Sequence, residues 1–145
     1  MPIDKSGQWW RGSEPADLDD YIAAYSAPSY PVSRTVHAQC DKDGGLVFSV
    51  RVDDEEGYVD RTCLRCGTTF AMLDSEDYKE DATPEAAACP CGGETFNVAV
   101  GFALRDDGSI KWVYSGLRCV TDGALGVYGD WKIDYEPSEQ LFGRV

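Results

Sequence analysis

The feature that most constrains this fold is the spacing of its six cysteines. The chain contains four short motifs, each with two side chains that can bind a metal and each followed directly by a glycine. Two ligands in one tight turn can point at a single ion, and glycine tolerates the backbone conformation that such a turn requires. The four pairs are Cys40/Asp43, Cys63/Cys66, Cys89/Cys91 and Cys119/Asp122.

The ligand motifs belong to two stretches that resemble each other. Residues 43–52 align with residues 91–100 without a gap, and a Gly-Gly pair, a phenylalanine and two valines coincide. Each stretch is followed by a second ligand pair, at 63–66 in the first copy and 119–122 in the second. The pattern predicts two copies of one structural unit.

The chain resembles a tandem zinc ribbon with rubredoxin-like knuckles over roughly residues 37–130. The resemblance implies that each copy binds one zinc ion between two short turns. Two departures stand out. Asp43 and Asp122 occupy positions where a fourth cysteine is usual, and Cys89-Pro90-Cys91 has one residue between its thiols instead of two.

Three metal arrangements are compatible with these residues. The first has two sites, Cys40/Cys63/Cys66 completed by Asp43 or His37, and Cys89/Cys91/Cys119 completed by Asp122. Asp130 is an outlying candidate for the second site. The second arrangement is one four-thiolate site built from Cys63, Cys66, Cys89 and Cys91. In the third, one or both sites have lost the ability to hold a metal. Iron is an alternative to zinc.

The apolar residues between the ligand motifs follow the two-residue period of β-strands. Every second residue is apolar from 46 to 52 and again from 96 to 104, which is typical of strands. Arg105–Ser109 contains Asp-Gly, a strong hairpin signal. We predict return strands over 58–62 and 110–118, and one or two strands over 125–135.

A helix is predicted ahead of the first repeat. Ser13 is a candidate N-cap with Pro15 in the first turn, and Leu18, Ile22 and Tyr25 follow at helical spacing. A second, short helical turn is predicted at 83–85, where a proline again sits in a first turn. The predicted fold is therefore mainly β, a small α+β protein with two related zinc-ribbon-like units and an N-terminal helix.

The expected organisation is one compact domain with four parts. Residues 1–36 form an N-terminal strand/helix segment and linker, and residues 37–73 form the first zinc-ribbon-like repeat. Residues 74–88 form an acidic connector, and residues 89–145 form the second repeat with C-terminal strands. No signal segment or membrane-length apolar run is visible, so the expected location is the cytoplasm.

The charge balance favours a basic protein as partner. The net charge is −13, and nucleic-acid binding requires a basic face. Arg61, Arg65 and Arg118 are the candidates for a local basic cluster. Trp9 and Trp10 are adjacent, so on a strand they face opposite sides. At least one of them is therefore expected to be exposed, where it either covers a hydrophobic edge or anchors a partner.

The leading functional hypothesis is a metal-stabilised, acidic interaction module that acts as an adaptor or as an inhibitor of a basic partner. One alternative is a redox or electron-transfer protein that uses its cysteine pairs. Another is a nucleic-acid-associated zinc ribbon. An enzyme is less favoured, because His37 is the only histidine and no catalytic motif is present.

Overall fold

Within the described residues, the alternating apolar segments form one antiparallel sheet of eight strands, and one α-helix packs against it. The protein is described by a computed structural model, which covers residues 3–7, 9–134 and 137–145. The predicted mainly β, small α+β fold is confirmed. The elements are α1 (Asp17–Ser26), β1 (Arg34–His37), β2 (Phe48–Asp53), β3 (Tyr58–Cys63), β4 (Thr69–Ala71), β5 (Glu85–Ala86), β6 (Phe96–Leu104), β7 (Ile110–Cys119) and β8 (Leu125–Lys132), with short 3-10 helices at Ser75–Tyr78 and Glu139–Gly143.

Both halves of the chain contribute to this sheet. The strand order is β4-β3-β2-β6-β7-β8, while β1 pairs with β6 and β5 pairs with β2. The two halves meet where Phe48 of β2 lies opposite Phe96 of β6. These two residues occupy the same position in the aligned stretches. The halves therefore meet as they would across a local twofold axis.

Strand β6 is the centre of the molecule, because both of its faces are buried. Phe96, Val98, Val100 and Phe102 point into the larger apolar core. The opposite face is made of small residues and is covered by α1, where Ala99 and Ala103 pack against the helix. An alternating pattern that predicted a half-buried strand thus belongs to a fully buried one.

Helix α1 lies against the sheet because two glycines leave room for it. Leu18 and Ile22 are fully buried under the helix. A Cβ atom added at Gly101 would lie 2.5 Å from Ile22 Cγ2, and one added at Gly116 would lie 2.7 Å from Ile22 Cδ1. The side chain of Ile22 therefore fills the space that these two glycines leave open on β6 and β7.

The helix begins later than the sequence predicts. Ser13 does not cap it, since the residue before the helix is Ala16 and no side chain caps the helix N-terminus. Instead, Asp17 Oδ2 accepts hydrogen bonds from the main-chain N–H groups of Ser13 and Glu14, at 2.8 and 3.3 Å. The Asp17 side chain thus folds back onto the loop before the helix. The turn that contains Pro15 belongs to this loop and not to the helix.

Other predictions differ in local detail. The segment 83–85 does not form a helical turn, because Glu85 belongs to β5 and lies opposite Val52 of β2. Leu46 lies outside β2 and is 45% exposed. The predicted strand over 125–135 ends at Lys132, and Tyr135 lies outside the described residues. Within the described ranges, no helix is long and apolar enough to cross a membrane.

Substituting Gly101→Ala is expected to lower the free energy of unfolding by about 1–3 kcal/mol, because the added methyl overpacks the contact with Ile22. Urea denaturation of the metal-loaded protein measures this change. Gly143→Ala is the matched control, since a Cβ atom there would meet nothing within 4 Å. Equal effects of the two substitutions would contradict the proposed role of Gly101.

Candidate metal centres

The first ligand set converges at the end of the β2–β3 hairpin. Cys40 and Asp43 lie in the loop before β2, Cys63 is the last residue of β3, and Cys66 lies in the turn between β3 and β4. Their ligand atoms all lie within 4.8 Å of one another. Cys40 Sγ is 3.6 Å from Cys66 Sγ, and Cys63 Sγ is 3.6 Å from each carboxylate oxygen of Asp43.

The second ligand set has the same construction on the β6–β7 hairpin. Cys89 and Cys91 precede β6, Cys119 is the last residue of β7, and Asp122 lies in the turn between β7 and β8. These four ligand atoms also lie within 4.8 Å of one another. Cys91 Sγ is 3.7 Å from Cys119 Sγ, and Cys89 Sγ is 3.5 and 3.7 Å from the two oxygens of Asp122.

These separations fit a tetrahedral metal ion. Zinc binds sulfur at about 2.3 Å and carboxylate oxygen at about 2.0–2.2 Å. At tetrahedral angles, two such sulfurs lie about 3.8 Å apart, and a sulfur and an oxygen lie about 3.6 Å apart. The distances observed at both sets agree with these values within a few tenths of an ångström. Each set could therefore hold one metal ion.

Main-chain hydrogen bonds build each ligand turn in the same way. In the loops before β2 and β6, the first cysteine accepts a bond from the motif glycine: Gly44 N–H donates to Cys40 O at 2.9 Å, and Gly92 N–H donates to Cys89 O at 2.8 Å. After β3 and β7, Gly67 and Gly123 make the equivalent bonds. Four similar turns thus aim their side chains toward two points.

Glycine is required at the end of every motif, as the sequence indicates. The φ angles of Gly44, Gly67, Gly92 and Gly123 are 72°, 73°, 93° and 79°. L residues with a side chain rarely adopt this region, whereas glycine does so at little cost. The four glycines let each chain segment turn back immediately after its second ligand.

A second glycine leaves room for the ligands themselves. A Cβ atom at Gly45 would lie 2.9 Å from Asp43 Oδ1 and 3.3 Å from Cys63 Sγ. At Gly93 it would lie 2.9 Å from Cys119 Sγ. In each Gly-Gly pair, the first glycine therefore allows the chain to turn. The second leaves a space beside the ligand atoms that any larger residue would fill.

Both aspartates are held ready as anionic ligands. The N–H of Gly45 donates to Asp43 Oδ1 at 2.8 Å, and the N–H of Ala124 donates to Asp122 Oδ1 at 3.0 Å. These main-chain bonds are the largest cause that lowers the pKa of each carboxyl group. Both side chains are consequently ionised at neutral pH and can bind a cation without losing a proton.

The cysteines differ in how readily they ionise. Hydrogen bonds from the Thr68 side chain and main chain lower the pKa of the Cys66 thiol to about 7, and Thr68 Oγ1 lies 3.3 Å from its sulfur. Burial, by contrast, raises the pKa of Cys89 to about 12. Metal binding at the second set must therefore displace a firmly held proton.

Two groups beside the second set were not suggested by the sequence. Arg11 NH2 lies 3.7 Å from Asp122 Oδ2. Burial, followed by the charges of Cys89, Cys119, Asp122 and Cys91, raises the pKa of Tyr128 to about 12. Arg11 carries no signal in the sequence, because it reaches the site through long-range packing. Tyr128 follows Asp122 closely in the sequence, but its type gave no reason to assign it to the site.

The rival ligands lie elsewhere. His37 Nε2 is 2.7 Å from Asp19 Oδ1 on α1, and His37 is not in the first cluster. Asp130 is likewise outside the second cluster. Burial, followed by the charge of Asp54, raises the pKa of its carboxyl group. The described cysteines do not form the four-thiolate alternative, since Cys63 and Cys66 group with Cys40.

The two tryptophans proposed to bind a partner differ in exposure. Trp9 is 44% exposed. Trp10 is half-buried and makes an edge contact with Tyr21, with ring centroids 5.6 Å apart. The prediction that one of the two is exposed is therefore confirmed for Trp9, while its role in binding stays a prediction.

The zinc-ribbon resemblance is supported by the geometry of the chain itself. Both clusters combine three thiols with one carboxyl group, but the carboxyl group stands at a different corner in each, before the hairpin at Asp43 and after it at Asp122. Comparisons with protein-family models, with curated proteins and with solved structures give no match for this chain.

Proposed function

We propose that this chain is a non-enzymatic interaction module that binds two zinc ions and recognises a basic protein through its acidic surface. It would act as an adaptor or as an inhibitor of that partner. The observation that carries the proposal is the pair of four-ligand clusters with tetrahedral spacing. They account for the six cysteines as structural ligands and leave the charged surface as the functional feature.

The ligand composition favours zinc in a structural role. Each cluster offers three cysteines and one aspartate, and zinc accepts both ligand types. Bound zinc would supply a cross-link between the loop before each hairpin and the turn at its end. Four protein ligands complete a tetrahedral shell, which is typical of structural and not of catalytic zinc sites. The aspartates argue against rubredoxin-type iron, which uses four thiolates.

The internal contacts of the arginines support an acidic binding surface. Arg105 and Arg144 each donate hydrogen bonds to two main-chain oxygens of other segments. Arg51 pairs with the buried carboxylate of Asp60. Most acidic side chains, such as those of Glu76 and Asp77, are instead exposed. Asp17, Asp60, Asp74 and Arg61 are buried, and a large excess of acidic side chains remains at the surface. Such a surface suits a basic partner.

The same arginine contacts disfavour nucleic acid as the ligand. Arg61 is 5% exposed and donates two hydrogen bonds to Val145 O. Arg118 donates to Gly12 O at 2.8 Å and to Asn97 Oδ1 at 2.9 Å. Of the three residues predicted as a possible basic cluster, Arg65 alone is left exposed without such contacts among the described residues. One exposed arginine is too little to neutralise several phosphates.

The purified protein is expected to contain two zinc ions per chain, because both ligand sets have four donors at metal spacing. Elemental analysis of protein produced with zinc and iron supplied equally measures the content. Removing the metal with a chelator should also lower the melting temperature, since zinc binding contributes to the free energy of folding. A protein coloured by thiolate-to-iron absorption, or one ion per chain, would contradict the proposal.

Asp43→Asn is expected to weaken metal binding at the first site at least about tenfold, because an amide oxygen carries no charge to offset that of the ion. Competition with a chromophoric zinc chelator measures the affinity. Asp41→Asn is the matched control, since Asp41 lies in the same loop but outside the cluster. If the two variants retain zinc equally well, Asp43 is not a ligand.

The zinc-loaded protein, immobilised on a resin, is expected to retain a protein of net positive charge. Raising the ionic strength from about 0.1 M to 1 M should release it, because the Debye length falls from about 10 Å to 3 Å. Mass spectrometry of the eluate identifies the partner. The chelated protein serves as the control for the metal requirement. Recovery of an acidic protein, or of nucleic acid, would overturn the proposed function.

A further inference from the structure

Beside the second metal centre lies a groove of about 330 Å³ with aromatic walls. We call it the aromatic groove and define it by six of its lining residues: Trp9, Tyr21, Tyr25, Pro90, Leu125 and Tyr128. It is assembled from the N-terminal segment, α1, the second ligand loop and β8, which are far apart in the sequence. None of the described lining residues is a lysine or an arginine.

Two aromatic side chains of the groove are open to solvent, and two neighbouring rings lie close together. Tyr21 and Tyr25 lie one helical turn apart on α1, with ring centroids separated by 6.2 Å. Trp9 and Tyr25 are 44% and 46% exposed, which places them among the large apolar side chains that the fold leaves open to solvent. Aromatic faces carry partial negative charge and attract a cation that stacks on them.

Negative charge lies at both ends of the aromatic groove. At one end, Tyr128 and Pro90 adjoin the second ligand set, whose three thiolates and one carboxylate exceed the charge of a divalent ion; Arg11 offsets part of this excess. At the other end, the ring centroids of Tyr25 and Tyr114 are 6.0 Å apart, and Asp130 of β8 lies opposite Tyr114 of β7. Asp54 Oδ1 accepts a hydrogen bond from the main-chain N–H of Asp130 at 3.0 Å.

We infer that the aromatic groove binds an arginine side chain of the basic partner, and this inference rests on the proposed function. A guanidinium group is planar and weakly hydrated, so it stacks on tyrosine and tryptophan rings at a lower desolvation cost than an ammonium group. Its apolar stem covers Pro90 and Leu125 while the carboxylates at the groove ends attract its charge. The groove thereby selects arginine within a surface that attracts any basic segment.

The test is titration of the zinc-loaded protein with a short peptide of alternating glycine and arginine. The matched peptide has citrulline, a neutral residue of the same shape, in place of arginine. Calorimetry should show that the citrulline peptide binds at least about tenfold more weakly than the arginine peptide, because it lacks the positively charged guanidinium group that stacks on the rings. The tryptophan fluorescence should change on binding of the arginine peptide, and Trp9→Phe should abolish most of that change.

Substitutions in the groove separate ring stacking from simple apolar contact. Trp9→Leu and Tyr25→Leu should each reduce affinity for the arginine peptide by about fivefold or more, whereas Tyr25→Phe should retain it, because it keeps the ring. Tyr78→Leu is the control, since Tyr78 is 39% exposed but lies outside the groove. All of these side chains are exposed enough for the variants to fold, which the melting temperature confirms.

The outcomes distinguish this inference from the proposed function. If Trp9→Leu and Tyr25→Leu bind the arginine peptide as tightly as the unmodified protein, or if the citrulline peptide binds equally well, the groove is not an arginine site. The proposed function then still stands when the resin retains a basic partner. If the resin retains no basic partner, the proposed function fails even where the peptide binds the groove.

Discussion

The pairing of Phe48 with Phe96 is the contact on which the rest of the structure depends. It joins the two hairpins into one sheet at the point where each carries its ligand turns. On the other side of each phenylalanine stands a buried cysteine, since Phe48 lies opposite Cys63 and Phe96 lies opposite Cys119. All four side chains belong to the same apolar core. The packing of the core and the position of the metal ligands are therefore parts of one arrangement, and a shift of register would displace both at once.

The distribution of charge follows from what the core and the turns require. Arginines are drawn inward because their guanidinium groups can satisfy main-chain oxygens at loop ends, as Arg61 does at Val145 and Arg105 does at Ile133. Most acidic side chains remain in solvent, although Asp17 and Asp60 are buried and accept internal hydrogen bonds. A strongly negative surface results, interrupted beside the second ligand set by a groove with aromatic walls. The proposed basic partner and the inferred arginine site both follow from this excess of negative charge. The first concerns the whole surface, and the second concerns one groove.

Much of the candidate site could be predicted from the sequence because its signals are local. Each ligand pair lies within a few residues, and each is followed by a glycine whose positive φ the turn requires. Several structural features could not be predicted in this way. Strand β1 pairs with β6, which is about sixty residues away, and the segment containing Glu85 adds to β2 instead of forming a helical turn. Such contacts depend on which surfaces remain uncovered once the hairpins have formed. The local periodicity of the sequence does not indicate which surfaces these are.

The sequence by itself determined the chemistry of the ligands, the turns that present them and the mainly β class, because these depend on residue type and short-range spacing. The tertiary structure decided which ligands share a site, excluding the combination of Cys63 and Cys66 with Cys89 and Cys91. It also decided which charges reach the surface and that Trp9, Tyr25 and Tyr128 line one groove. The physical reason is that these outcomes require side chains from distant segments to pack at van der Waals distance. That packing is set by the volume and burial of the whole core.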